Sequence, residues 1–204
     1  IPVSWQCNVY CFDQCVSSPD VCVAGIEGGD LFKTIDRGLS WYPVTESVPG
    51  IRTVRSTKIA PSDASRIYFE ANQWLYATAD GGATWSMVHN LGEHATQIAV
   101  HPTNPGFILV SAWNGLHRST DGGQTWSTVF SGTAWDVGFH PTNPNVVYSL
   151  RYDASLNRCV MHRSDDGGLT FALKDNGYFV PSDPANASAD GGRLGLTSAD
   201  PDRV

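Results

Sequence analysis

The sequence predicts an all-β fold, and three observations carry that prediction. An octapeptide recurs four times, with its aspartate at positions 36, 80, 121 and 166. A second pattern recurs five times between those copies, aligned on Pro19, Ala64, Pro105, Pro144 and Pro201. Between them, Gly 20 and Pro 12 in 204 residues punctuate the chain at the short intervals expected of turns joining short strands.

Each element of the repeat follows in order. The unit opens on a strand whose successive aligned positions are Cys11, Ser56, Gln97, Asp136 and Arg193, then Phe12, Thr57, Ile98, Val137 and Leu194, then Asp13, Lys58, Ala99, Gly138 and Gly195. Mostly period-2 alternation with a small residue in the middle reads as a strand. A turn follows, clearest in His101-Pro102-Thr103-Asn104-Pro105 and His140-Pro141-Thr142-Asn143-Pro144. Pro fixes φ there, and Asn caps the turn with its side chain. A second strand comes next, as in Phe107-Ile108-Leu109-Val110. The third strand carries Leu31, Leu75, Leu116 or Met161, five residues before each aspartate. The octapeptide then forms a hairpin into a fourth strand. Four antiparallel strands in ~40–45 residues make one blade of a β-propeller. The boundaries expected are 11–51, 52–92, 93–132 and 133–180, with a partial blade at 190–204 and residues 1–10 supplying a strand of a preceding blade. Because the fifth copy runs only to Val204, the expectation is an incomplete part of a larger propeller, or one completed by another chain at its open edges.

Within the octapeptide, Ser/Thr-x-Asp-x-Gly-x-Ser/Thr-aromatic, each part has a folding role. The carboxylates of Asp36, Asp80, Asp121 and Asp166 accept backbone N–H bonds inside the turn. Gly38, Gly82, Gly123 and Gly168 take the left-handed conformation that glycine tolerates. Trp41, Trp85, Trp126 and Phe171 anchor the hairpin and fill the wedge between blades. These residues resemble the Asp-box, or BNR, repeat, and the chain is similar to sortilin-type (VPS10-like) and secreted bacterial propellers. The resemblance covers nearly the whole chain and implies the propeller fold, with Asp-boxes on the blade periphery away from any ligand. It implies no single activity, because such propellers include sialidases, xyloglucan-type glycoside hydrolases, photosystem assembly factors, sorting receptors and sugar-binding proteins. The Arg-Ile-Pro element of sialidases is matched only by Ile1-Pro2, with no preceding arginine in the sequence.

Composition excludes several classes. Apolar residues at 41% and charged residues at 16% suit a packed core rather than a disordered chain. A net charge of −7 without a basic run argues against nucleic acid and against anionic membranes. No apolar run reaches the ~20 residues of a membrane span.

Candidate sites are sparse. Cys7, Cys11, Cys15, Cys22 and Cys159 lack zinc-type spacing and are expected to form disulfides in an extracellular protein, with buried thiols as the alternative. Asn186-Ala187-Ser188 is a glycosylation sequon. Propeller ligands tend to bind at one mouth of the channel, so Lys58, Gln97, Asp136 and Arg193 are the candidate rim for a glycan or peptide. Their competing role is to hydrogen-bond between blades. Asp136 is the one candidate catalytic carboxyl, with Glu27, Glu70, Glu93, Asp153 and Asp183 as conceivable partners for glycoside hydrolysis. The repeat-equivalent pairs His101/His140 and His117/His162 read as structural, and neither metal nor cofactor is expected. The expected function is a secreted, non-catalytic module of an extracellular or cell-surface assembly that binds a protein or glycan partner or further copies of itself. The alternative is a sialidase- or xyloglucanase-like glycoside hydrolase whose site is completed by further blades.

Overall fold

The computed structural model describes residues 8–155, 158–174 and 193–196. Sixteen strands form four separate four-stranded antiparallel sheets. The first holds β1 (Val9–Gln14), β2 (Cys22–Ile26), β3 (Leu31–Thr34) and β4 (Tyr42–Pro43). The second holds β5 (Val54–Ala60), β6 (Asp63–Ala71), β7 (Trp74–Thr78) and β8 (Ser86–Asn90). The third comprises β9 (Ala95–Val100), β10 (Ile108–Ala112), β11 (Gly115–Ser119) and β12 (Ser127–Ser131). The fourth comprises β13 (Ala134–Phe139), β14 (Val147–Asp153), β15 (Arg158–Ser164) and β16 (Ala172–Leu173). Within every sheet the strands lie in sequence order, as the repeat predicts, and no helix interrupts them.

The first strand of each blade packs beside that of the next, β1 on β5, β5 on β9 and β9 on β13. These four strands are the inner wall of the propeller. The small residues predicted there are found there: a Cβ on Gly138 would lie 2.5 Å from Leu196 Cδ1. Three apolar clusters fill the spaces between blades. One joins Val23 and Leu31 to Ile59, Ile67 and Phe69; the next joins Tyr68 and Leu75 to Ile98 and Val110; the third joins Leu109 and Leu116 to Val137 and Val147. Alternation on each strand thus sends one set of side chains to the preceding blade and the other set to the following one.

The four octapeptides form one repeated turn. In the first, Asp36 Oδ1 accepts from Thr34 Oγ1 at 2.7 Å and from Ser40 N at 2.9 Å, and Asp36 Oδ2 accepts from Ser40 Oγ at 2.6 Å. Asp80, Asp121 and Asp166 repeat these bonds. The Ser40 hydroxyl is the main cause that holds the Asp36 carboxyl down at about 2, and Thr125 does the same for Asp121, also at about 2. The second glycine is required twice over in two of the copies. Gly82 has φ 102° and would place a Cβ 3.0 Å from Val44 Cβ; Gly123 has φ 92° and would meet Val88 Cβ at 2.9 Å.

Both valines belong to the preceding blade, and the tryptophans follow the same rule. Trp85 Nε1 donates to Val44 O at 2.7 Å, and Trp126 Nε1 donates to Val88 O at 3.2 Å. Each ring therefore docks on the blade before its own, at the carbonyl three residues past that blade's tryptophan. Phe171 packs on the third blade without an N–H to offer. Trp41 has no described blade before it and is 39% exposed, so here the predicted wedge is unfilled.

The expected disulfides do not form among the described cysteines. Cys11, Cys15 and Cys22 are thiols. Cys11 Sγ donates to Val54 O at 3.5 Å, and Cys15 Sγ to Ala60 O at 3.6 Å, so alternation aims both at the second blade while Cys22 Sγ turns to Pro19 O at 4.0 Å. Burial pushes the Cys11 thiol up to about 12. Cys7, Asn186, Asp183, the strand expected in 1–10 before Asn8, and most of the partial blade lie outside the described residues.

Candidate functional site

The inner strands enclose a channel cavity of 340 Å³ whose wall includes Lys58, Gln97, Asp136, Gly138 and Leu194. Three of the four predicted rim residues thus meet in one place, and Arg193 joins Gln97 and Asp136 in an adjoining recess. Their bonds run between blades. Lys58 Nζ pairs with Asp13 Oδ1 at 2.7 Å, while Asp13 Oδ2 accepts from Ile59 N at 2.8 Å. Burial raises the Asp13 pKa against the opposing pull of Lys58. Asp136, 2% exposed, accepts from Val137 N at 2.8 Å and from Leu194 N at 2.8 Å. Burial raises its pKa, opposed by the Leu194 amide and by Arg193. Arg193 Nη1 donates to Thr96 O at 2.9 Å.

These carboxylates solve one problem in two places. The inner strand of every blade has one edge without a strand partner, so its outward N–H groups need acceptors. Asp13 supplies one to Ile59 of the neighbouring strand, and Asp136 supplies one to Leu194 in the segment 193–196. The other conceivable carboxyl partners are dispersed: Glu27 Oε2 accepts from Asn8 at 2.7 Å, and Asp153 Oδ1 accepts from Ser155 N at 2.8 Å.

A second cavity of 350 Å³ opens at the end of the channel where the inner strands begin. Tyr10, Arg55, His94, Thr96, Trp113, Trp135 and Arg193 line it. Only Arg193 among them was expected from the sequence. Tyr10, Arg55, Thr96 and Trp135 each stand one residue before the positions that open the aligned inner strands, 11, 56, 97 and 136, of which Gln97 and Asp136 belong to the predicted rim. Each of the four sits at a register shift in the strand pairing, a β-bulge that re-aims its side chain. Positions 11 and 136 turn toward the next blade, and the residues before them line the mouth.

The mouth is held rigidly. Trp113 sits at the β10–β11 hairpin, where its N–H donates to His94 O at 3.4 Å and its carbonyl accepts from Thr133 Oγ1 at 3.1 Å. Its ring is 50% exposed and meets His94 edge-on at 6.3 Å. His94 Nδ1 lies 3.0 Å from Glu70 Oε1, which also accepts from Gln73 N at 2.8 Å. Glu70 is fully buried, which raises its pKa, and its Oε2 has no partner. Trp135 Nε1 is likewise buried without an acceptor. Among the described residues no group of three or more metal-ligating side chains converges. The repeat-equivalent histidines are turn formers: His101 Nδ1 accepts from Thr103 N and Asn104 N at 3.2 and 3.1 Å, and His140 Nδ1 from Thr142 N and Asn143 N at 3.3 and 3.1 Å.

Residues 117–128 match the family model described as BNR/Asp-box repeat. No curated protein matches the sequence. Among solved structures, the chain is similar to a GH74 xyloglucanase from Xanthomonas campestris at TM-score 0.65 and 19% identity, covering 79% of this chain and 29% of that one. An ancestral GH74 enzyme superposes at TM-score 0.66 and 18% identity, with 82% and 24% covered. YCF48 bound to D1 peptide gives TM-score 0.51 and 14% identity, with 86% and 85% covered. The chain therefore spans less than a third of the length of the two GH74 structures. At these identities the likeness establishes the fold. The chain is a β-propeller of four-stranded antiparallel blades bearing BNR/Asp-box repeats.

Proposed function

We propose that this propeller is a non-catalytic binding module, secreted to an extracellular or cell-surface setting, that takes a glycan at the channel mouth. The observation that carries the reading is the half-exposed Trp113 ring, borne on a backbone tied to His94 and Thr133, beside Tyr10 and Trp135 over a 350 Å³ cavity. Cavities of roughly 300–1,000 Å³ with aromatic walls and a few convergent polar groups are the usual form of a small-ligand site. A peptide that binds by adding a strand needs free N–H groups on a sheet edge. Asp13 already occupies one of those on β5, and the Leu194 segment bonded to Asp136 lies beside β13, which favours a compact ligand over an extended peptide. YCF48, whose structure has a peptide bound, makes peptide capture an outcome that the test must separate. Calorimetric titration with neutral and acidic oligosaccharides and with a peptide library is the test. Glycan binding weakened about tenfold or more by Trp113→Ala supports the reading; binding of peptides alone overturns it.

A second reading has one observation in its favour. Asp136 lines the channel with its pKa raised by burial, as a general acid requires. The likeness to GH74 enzymes suggests β-glucans as substrates. Turnover of xyloglucan abolished by Asp136→Asn would favour hydrolysis over binding alone.

A further inference from the structure

Taking the mouth as a glycan site, as proposed above, we infer that the glycan it selects carries a carboxylate, as a uronic acid does. Over the whole chain, Asp and Glu outnumber Lys and Arg by 20 to 13. The mouth reverses that balance. Arg55 and Arg193 line it, and no aspartate or glutamate does. The nearest carboxylate to enter the local network, Glu70, is fully buried and is engaged through Oε1 with His94 and the Gln73 amide.

The two arginines differ in a way that suits one anion. Arg193 is anchored, with Nη1 on Thr96 O at 2.9 Å. Arg55 is exposed at the mouth, with the buried Glu70 carboxyl close enough to feel its charge. A guanidinium offers a planar fork of donors that matches a carboxylate through two parallel bonds. Trp135 Nε1, a donor with no acceptor, stands in the same wall, and the Tyr10 side chain faces the same cavity. The wall is therefore rich in donors, poor in acceptors and positive. A neutral sugar presents as many hydroxyl donors as acceptors and leaves this excess unmatched. A sugar carboxylate adds two acceptor oxygens and the missing negative charge, while its ring lies against Trp113.

The test is calorimetric titration of the folded chain with oligogalacturonate, sulfated oligosaccharide and neutral xyloglucan oligosaccharide at two salt concentrations. Oligogalacturonate is expected to bind in preference to both others and to weaken as salt rises. Arg55→Gln is expected to cost about tenfold or more in affinity, and Arg55→Lys, which keeps charge and loses the fork, to recover only part of it. Circular dichroism and an unchanged melting temperature confirm that the variants fold. Equal affinity for the neutral oligosaccharide with no effect of Arg55→Gln overturns the inference and leaves glycan binding intact. Preference for the sulfated sugar overturns the carboxylate assignment. Absence of binding to all three overturns the glycan reading as well.

Discussion

Acidification should loosen the joint between the second and third blades, and His117 sets the size of the effect. His117 on β11 is 7% exposed, and burial, reinforced by His89, lowers its pKa from 6.5 to about 4. Its Nδ1 lies 3.3 Å from His89 Nε2, its Nε2 lies 3.2 Å from Asn114 Oδ1, and His89 stacks on Trp126 at 4.5 Å. Since Asn114 Oδ1 can only accept, His117 carries its proton on Nε2, and its Nδ1 accepts from His89. A proton added to Nδ1 breaks that bond and places a charge in the joint. The folded pKa lies below the unfolded one, so the stabilisation is complete above about 6.5 and is lost as pH falls toward 4. At ~1.4 kcal/mol per pH unit, the loss reaches at most about 3 kcal/mol. Urea unfolding of the wild type and of His117→Gln at pH 7, 6, 5 and 4.5 isolates this contribution from that of other histidines. The wild type should lose stability more steeply, by ~1 kcal/mol per unit on average between pH 7 and 4.5. Parallel curves for the two proteins would refute the reasoning.

Two further outcomes follow from the joints between blades. Trp126→Phe keeps the ring but removes the N–H donated to Val88 O and Gly123 O; a loss of about 1 kcal/mol is expected in chemical denaturation, with near-native circular dichroism. Lys58→Met leaves the largely buried Asp13 carboxylate without its cation; a loss of about 2 kcal/mol is expected at pH 7, and combining it with Asp13→Asn should recover part of that loss, as a double-mutant cycle would show.

The blade was legible because it is repeated. Leu31, Leu75, Leu116 and Met161 all stand on the third strand of their sheets, and Gly82 and Gly123 occupy the left-handed turn positions. Four copies of a local turn average out the accidents of any one. The mouth was not legible for the opposite reason. Trp113 has no aromatic counterpart at the other hairpins, and Tyr10, Arg55, Thr96 and Trp135 share a repeat position but no residue type, so no recurring side chain marks the mouth. A β-bulge in the inner strand separates Trp135 from Asp136, giving Trp135 to the cavity wall and Asp136 to a link between blades. The disulfide expectation rested on an extracellular setting, whereas Cys11 and Cys15 turn their thiols to carbonyls of the second blade and Cys22 turns to Pro19 O.

The docking of Trp85 and Trp126 on a carbonyl of the preceding sheet has a consequence for how such a chain divides. Cooperative units are set by where the contacts fall, and here an indole bond straddles two of the boundaries between described sheets. The smallest self-sufficient module is therefore one sheet together with the hairpin that opens from its successor. Grafting or excising material between Val44 and Thr84 would sever such a module, whereas a cut just after Trp85 would carry the indole along with the acceptor it serves.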